Sequence, residues 1–214
     1  MPLENYIAKR PIPIDQEVEW DKTQTIMSKA DLFGTIEYVN DVFTEISGYE
    51  DYELMGQPHN ILRHPDMPKV VFKVLWENIK EGNQFHGIIK NLAKSGKYYW
   101  VITNFEYLRD EKGNITKYIA KRKAVPTAII KNHIEPLYTK LLQIEQASGL
   151  EISEKYLVGF LEDMGLSYVD LITKLMVDNE KEEQEQEQET PIEPSEIEEE
   201  KEKKKGFFSR FFGN

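Results

Sequence analysis

The sequence predicts an α+β domain: a five-stranded antiparallel sheet with short helices on one face, followed by a helical appendage and a disordered acidic tail. Three observations carry this. Apolar and polar residues alternate with period two in two early segments and three later ones, each set joined by tight-turn residues. Between the two sets the period lengthens to that of a helix. Beyond Pro126 the helical period returns, until the composition changes to Glu, Gln and Lys.

Residues 1–21 form a polar leader with three prolines, whose Ile12, Ile14, Val18 and Trp20 can pack on the domain. The domain proper spans 22–125. Residues 24–29 and 35–39 read as two strands of a hairpin, with Asp31 and Gly34 supplying the turn. Asn40 caps a short helix that ends at Gly48, and residues 49–54 form another helical turn. Val70, Val71, Val74, Leu75 and Ile79 fall on one face of a helix over 70–80. Three strands follow, over 85–92, 98–108 and 115–125, joined by turns at 94–97 and 110–114. Residues 126–178 read as two or three helices, with a kink or restart at Pro136 and interruptions at Gly149, Gly159 and Gly165. An acidic low-complexity tether over 179–202 leads to a basic-aromatic end at 203–214.

The 214 residues carry a net charge of −11, unevenly spread: residues 180–214 hold 12 acids and 6 bases. An acidic body without a basic stripe argues against nucleic acid as the main partner. The absence of cysteine removes disulfides, thiolate metal sites and cysteine nucleophiles, and fits a cytoplasmic chain. No apolar run is long enough to span a bilayer, and the first residues lack the apolar region of a signal peptide. Dinucleotide, phosphate-loop and zinc-hydrolase motifs are missing, so no enzymatic activity is expected.

The most informative run is GQPHNILRHPDMP, residues 56–68, which holds two of the four histidines, three prolines and one of five arginines. Pro58, Pro65 and Pro68 fix the backbone course and suit the presentation of polar side chains. Arg63, His64 and Asp66 place a cation, an imidazole and a carboxylate within four residues. An arginine fork matches phosphate oxygens, and a nearby carboxylate can orient the fork or accept from a ribose hydroxyl. The plainer reading is a loop in which Arg63 and Asp66 pair with each other.

These residues resemble the PAS sensor family, and in particular the flavin-binding PAS domains of bacterial aerotaxis (energy-taxis) receptors. The likeness lies in residues 39–43, 47–49, 56–60, 63–68, 87–91 and 99–101, and extends to Glu135-Pro136-Leu137-Tyr138. It covers roughly residues 22–142. The resemblance implies non-covalent FAD held between sheet and helices, with Arg63, His64 and Asp66 matching the ligand motif and Asn40 and Asn91 at polar pocket positions. An asparagine offers donor and acceptor together, as the edge of a flavin requires. Asn40 also fits a helix cap and Asn91 a strand-edge residue. His59 and His86 read as structural or exposed, and Trp100 and Phe105 as core or sheet-face residues.

Related flavin domains often carry tryptophan where this chain has Phe85, which keeps the ring but loses the indole donor. Without cysteine no cysteinyl–flavin adduct can form, so a bound flavin would report redox state or oxygen. Haem, through His64, His59 or His86, is the competing ligand, and a cofactor-free scaffold the competing role. The resemblance further implies that the output passes from the appendage to a partner, such as a membrane-bound chemotaxis-type transducer; a homodimer is also compatible. In the last residues, Phe207, Phe208, Phe211 and Phe212 share one helical face, with Arg210 nearby. This pattern suits contact with anionic lipid at the inner face of a membrane, or docking into a partner groove.

Overall fold

The computed structural model describes residues 10–189. The last part of the expected tether and Phe207, Phe208, Arg210, Phe211 and Phe212 lie outside the described residues. Strands β1 (Ile26–Ala30), β2 (Ile36–Val39), β3 (His86–Leu92), β4 (Tyr98–Arg109) and β5 (Ile115–Ala124) form one antiparallel sheet in the order β2-β1-β5-β4-β3. Helices α1 (Asp41–Ser47), α2 (Asp51–Leu54) and α3 (Lys69–Glu81) fall between β2 and β3, with a 3-10 turn at His59–Leu62. This is the α+β arrangement that the alternating periods predict.

Local chemistry explains the element ends. The Asn40 side chain accepts from the Phe43 amide and starts α1, while Gly48 closes it in the left-handed conformation. Helix α3 buries Val70, Val71, Leu75 and Ile79, each worth about 1.5–3 kcal/mol when taken from water. Its first amides are capped from a distance: Glu145 accepts from the N–H of Lys69 at 3.0 Å and of Val70 at 2.8 Å.

Register decides what each face of the sheet carries. Ser28 lies opposite Ala120, Ala120 opposite Phe105, and Arg122 opposite both Ile26 and Thr103. Directly paired residues share a face, so these side chains project together, with Asn91, toward α3. Ile88, Lys90, Leu92 and Trp100 take the other face. There the Tyr138 ring lies against Trp100, 6.2 Å between centroids.

Beyond the sheet come α4 (Thr127–Ile129), a π-helical turn at Ile130–Ile134, α5 (Glu135–Ser148), α6 (Leu150–Met164) and α7 (Tyr168–Glu189). Pro136 lacks the N–H that would continue the ladder, and the wider turn just before it absorbs the mismatch. Gly159 does not interrupt the chain as expected: α6 runs through it and ends at Gly165. A glycine inside a helix lowers its propensity by about 1 kcal/mol, which the packing of Leu157 and Phe160 offsets. The first part of the acidic tether is helical, since α7 continues to Glu189. The chain divides into two compact units at Met176 and Val177.

Strand β3 is an edge, and its outward groups are covered. The backbone of Arg63 bridges to Asn91, the Lys90 N–H meets the Met67 sulfur at 3.2 Å, and the Tyr138 hydroxyl donates to the Ile88 carbonyl at 2.7 Å. The proline-rich run and the appendage therefore meet on one strand.

Candidate functional site

A cavity of about 290 Å³ lies between the sheet and α3. Ser28, Ala30, Ile89, Asn91, Thr103, Phe105, Tyr118, Ala120 and Arg122 come from the strands, and Phe72, Leu75, Trp76 and Ile79 from α3. His59, Asn60, Leu62 and Arg63 close it from the proline-rich run, and Phe33 and Gly34 from the β1–β2 turn. An apolar enclosure with a few convergent polar groups is the usual make-up of a small-molecule site.

The polar groups are mostly donors. Arg122 is 7% exposed and makes no ion pair among the described residues. Its Nη1 donates to Ser28 Oγ at 2.9 Å, and its guanidinium lies 5.6 Å from the centre of the Phe43 ring. Burial pushes Arg122 down to about 10. Ser28 Oγ also lies 3.0 Å from His59 Nε2. That oxygen accepts from Arg122 and keeps both a proton to give and a second lone pair, so it can pair with either tautomer of the imidazole. Burial, and then the Arg122 charge, lower the His59 pKa to about 3, so the ring is neutral.

Arg63 forms the second cation. Its guanidinium sits 3.8 Å over the Phe72 ring, and its Nε is buried without a partner. Burial lowers its pKa, as does Arg10. Thr103 Oγ1 is likewise buried and unpaired. Two cations and an orphaned hydroxyl around one apolar cavity fit a flat, apolar ring system that carries acceptor atoms and a negatively charged extension. A flavin is such a molecule: an acceptor-rich heterocycle bearing phosphate.

Of the residues singled out in the sequence, Arg63 and Asn91 line the cavity. His64, Asp66, Asn40 and Phe85 do not. Asp66 pairs with Lys90 Nζ at 2.8 Å rather than with Arg63. Lys90 precedes Asn91 on β3 and so points to the opposite face. His64 is buried beside this pair; its Nδ1 accepts from the Asp66 N–H at 3.2 Å. Burial and then Lys90 lower its pKa, with Asp66 opposing. Asn40 holds the α1 start and the β1 backbone, accepting from the Met27 N–H and donating to the Thr25 carbonyl, both at 2.9 Å. Phe85 stacks on Tyr168 at 5.7 Å and lies 6.3 Å from Phe105, a cavity residue.

Sequence reasoning missed Arg122 and gave His59 and Phe105 a structural reading. The signal for Arg122 was present. Lys117, Lys121 and Lys123 share one parity of β5, which leaves Arg122 on the other with Tyr118 and Ala120. For His59 no local signal exists, because Ser28 comes from a distant strand.

Comparison with known proteins supplies the lineage. Residues 36–121 match the family model described as PAS fold. The chain is 39% identical over 135 residues to the aerotaxis receptor of Escherichia coli (strain K12), covering 63% of this chain and 26% of that one. It is 27% identical over 95 residues to the bacterioopsin transcriptional activator of Halobacterium salinarum, covering 44% of this chain and 14% of that one. The chain thus spans about a quarter or less of the length of these relatives. A solved structure, from work titled "Flavin Analogue Sheds Light on Light-Oxygen-Voltage Domain Mechanism", is 20% identical, with a TM-score of 0.48, over 53% of this chain and 87% of that one. The sheet order, the interposed short helices and the matched segment agree: the segment around residues 36–121 has the PAS fold.

Proposed function

We propose that the chain is a redox or oxygen sensor that binds FAD non-covalently in the cavity and passes its state to a partner through the helical appendage. The observation that carries this reading is the pair of cations, Arg122 and Arg63, facing an apolar cavity with no carboxylate paired to either among the described residues. Likeness to an aerotaxis receptor supports the sensory role. A bound flavin supplies reversible electron uptake.

The protein residues do the rest. Arg122 and His59 would offer polar partners to the ring, Asn91 an amide, and Arg63 a cation for the phosphates. His64, Asp66 and Lys90 act one layer out, holding the backbone that presents Arg63 next to Asn91. Arg122 on β5 and His59 in the Pro58–Arg63 run are the groups that would respond to a change of charge on a bound flavin.

The cavity wall is wired to the appendage. Helix α3 carries Phe72 and Trp76 into the cavity, while Glu145 of α5 caps its first amides and Lys73 pairs with Glu154 of α6 at 2.5 Å. A shift of α3 therefore alters how α5 and α6 dock, the differential contact that a switch needs. The receiving partner is a membrane-borne chemotaxis-type transducer or another signalling protein. Among the described residues no helix is long and apolar enough to cross a membrane. The test is the absorption spectrum of the purified chain before and after dithionite. A flavin spectrum that bleaches supports the reading; a colourless protein that takes up no flavin on reconstitution rejects it.

A further inference from the structure

The geometry points to a second site on the outside of the domain, one aromatic ring away from the cavity, that takes an anionic aromatic electron carrier such as a sulfonated or carboxylated quinone. The site stands on its own lining; only its redox role rests on the flavin reading. A groove of about 460 Å³ opens between the end of α3, the β1–β2 turn and the β4–β5 hairpin. That volume is in the range of small-molecule sites. Leu32, Ile115 and Tyr118 supply its apolar lining, and Lys80 and Arg109 its cations.

Tyr118 is the one residue that borders both the groove and the cavity. It is 4% exposed, and two other rings hold it edge-on: Trp76, which also lines the cavity, and Tyr107, each 6.0 Å away between centroids. The Tyr107 hydroxyl donates to the Asn83 carbonyl and so anchors the trio to the turn after α3. The division between groove and cavity is therefore a packed ring.

The arginine is placed as firmly. Its Nη1 donates to the Gly113 carbonyl at 2.9 Å, and its guanidinium lies 5.8 Å from the centre of the Tyr107 ring. On its other side is Gly82, with φ of +76°, where a Cβ would come within 2.7 Å of Arg109 Nη2. Lys80 Nζ lies 5.8 Å from the centre of the Trp76 ring. Neither cation makes an ion pair among the described residues. The one carboxylate of the lining, Glu81, accepts from the Asn83 amide at 3.0 Å, and the Asn114 amide donates to Asp110 at 3.0 Å. In a chain of net charge −11, two cations against one carboxylate make the groove locally positive. An aromatic ring bearing an anionic group answers both features: the ring covers the apolar lining and the anion meets Arg109 and Lys80.

A flavin enclosed between the sheet and α3 exchanges electrons through a wall, and at Tyr118 that wall is one ring thick toward the groove. Two electrons pass from the reduced flavin to the quinone. The quinone takes two protons, one released by the flavin and one from water, and leaves as the hydroquinone. Tyr118 is neither oxidised nor deprotonated in the exchange.

The test has two arms, both on the full-length chain, with naphthoquinone sulfonate as probe and an uncharged naphthoquinone as control. Flavin-free protein is titrated with each and followed by quenching of its tryptophan fluorescence. Arg109→Gln is expected to weaken the sulfonate about tenfold, the scale of one charge-assisted contact, and to leave the uncharged quinone unchanged; Lys80→Gln acts in the same direction. Flavin-loaded protein, reduced with dithionite under anoxia, is then mixed with the probe or with oxygen in stopped flow. Both variants should slow reoxidation by limiting sulfonate, while flavin affinity and reoxidation by oxygen stay at the parent's values. Equal quenching of parent and variants by the sulfonate, or unchanged reoxidation by it, overturns the outer site and leaves the flavin reading intact. A parent chain that takes up no flavin overturns the electron-exchange role together with that reading, whatever the first arm shows.

Discussion

Replacing Arg122 with methionine should move stability and binding in opposite directions. The side chain is buried, methionine replaces its apolar stem without the charge, and it is unpaired with any carboxylate among the described residues. Burial lowers its pKa from 12.5 to about 10, a change that corresponds to roughly 3 kcal/mol of unfavourable desolvation. The sign follows from proton binding. The unfolded chain holds the proton more tightly, so the penalty is complete at neutral pH and is relieved only as pH rises through 10 toward 12.5. Against it stands one hydrogen bond to Ser28, worth about 1–2 kcal/mol when a charged donor is involved. Ser28 keeps His59 as a partner after the change. Removing the unpaired charge should therefore stabilise ligand-free protein by about 1–2 kcal/mol, or raise Tm by about 2–8 °C for a chain of this size. In the same variant FAD affinity should fall at least tenfold, since the strongest donor in the cavity is gone. Thermal melts of the ligand-free form and flavin titration measure the two effects. A lowered Tm together with undiminished flavin affinity would refute the reasoning, because Arg122 would then be a structural residue.

Other outcomes follow from the same geometry. Asn91→Leu should weaken flavin binding about tenfold with little change in the ligand-free melting temperature, since the amide borders the cavity while the backbone makes the strand pairing. Glu145→Ala should lower Tm by about 2–8 °C through loss of the two amide contacts at the start of α3, and circular dichroism melts would detect it. Tyr138→Phe should free the appendage: the hydroxyl that donates to Ile88 also meets Tyr168 at 2.5 Å, and its loss leaves buried groups unpaired at about 1–3 kcal/mol. Faster proteolysis within α6 and α7 would register that release, and an unchanged rate would contradict it. For His59, a pKa lowered from 6.5 to about 3 means stability is complete above pH 6.5 and falls as pH drops toward 3, by at most about 1.4 kcal/mol per pH unit. His59→Gln should flatten that part of the denaturation-midpoint profile.

The sheet was legible because its signals are local: alternation in 98–108, turn residues around Gly96 and Gly113, and the cap at Asn40 need no knowledge of distant residues. The same locality explains what the sequence hid. Arg63, His64 and Asp66 are neighbours along the chain, yet only Arg63 borders the cavity, because the backbone bridge to Asn91 turns the following residues toward Lys90. The Arg122–Ser28–His59 cluster joins strands β1 and β5 with the proline-rich run, so its members come together only once the sheet is closed. Parity along β5 placed Arg122 inward, but nothing local named its partners. Gly159 misled for a related reason: propensity favours a break there, and tertiary packing overrides it.

The most direct measurement is the ligand content of the purified full-length chain, read as its absorption spectrum and as the identity of the molecule released on heat denaturation. The expected result is a yellow protein that loses colour on reduction with dithionite and releases one FAD per chain. A colourless preparation that remains so after incubation with FAD, with Arg122 and Arg63 intact, would contradict it.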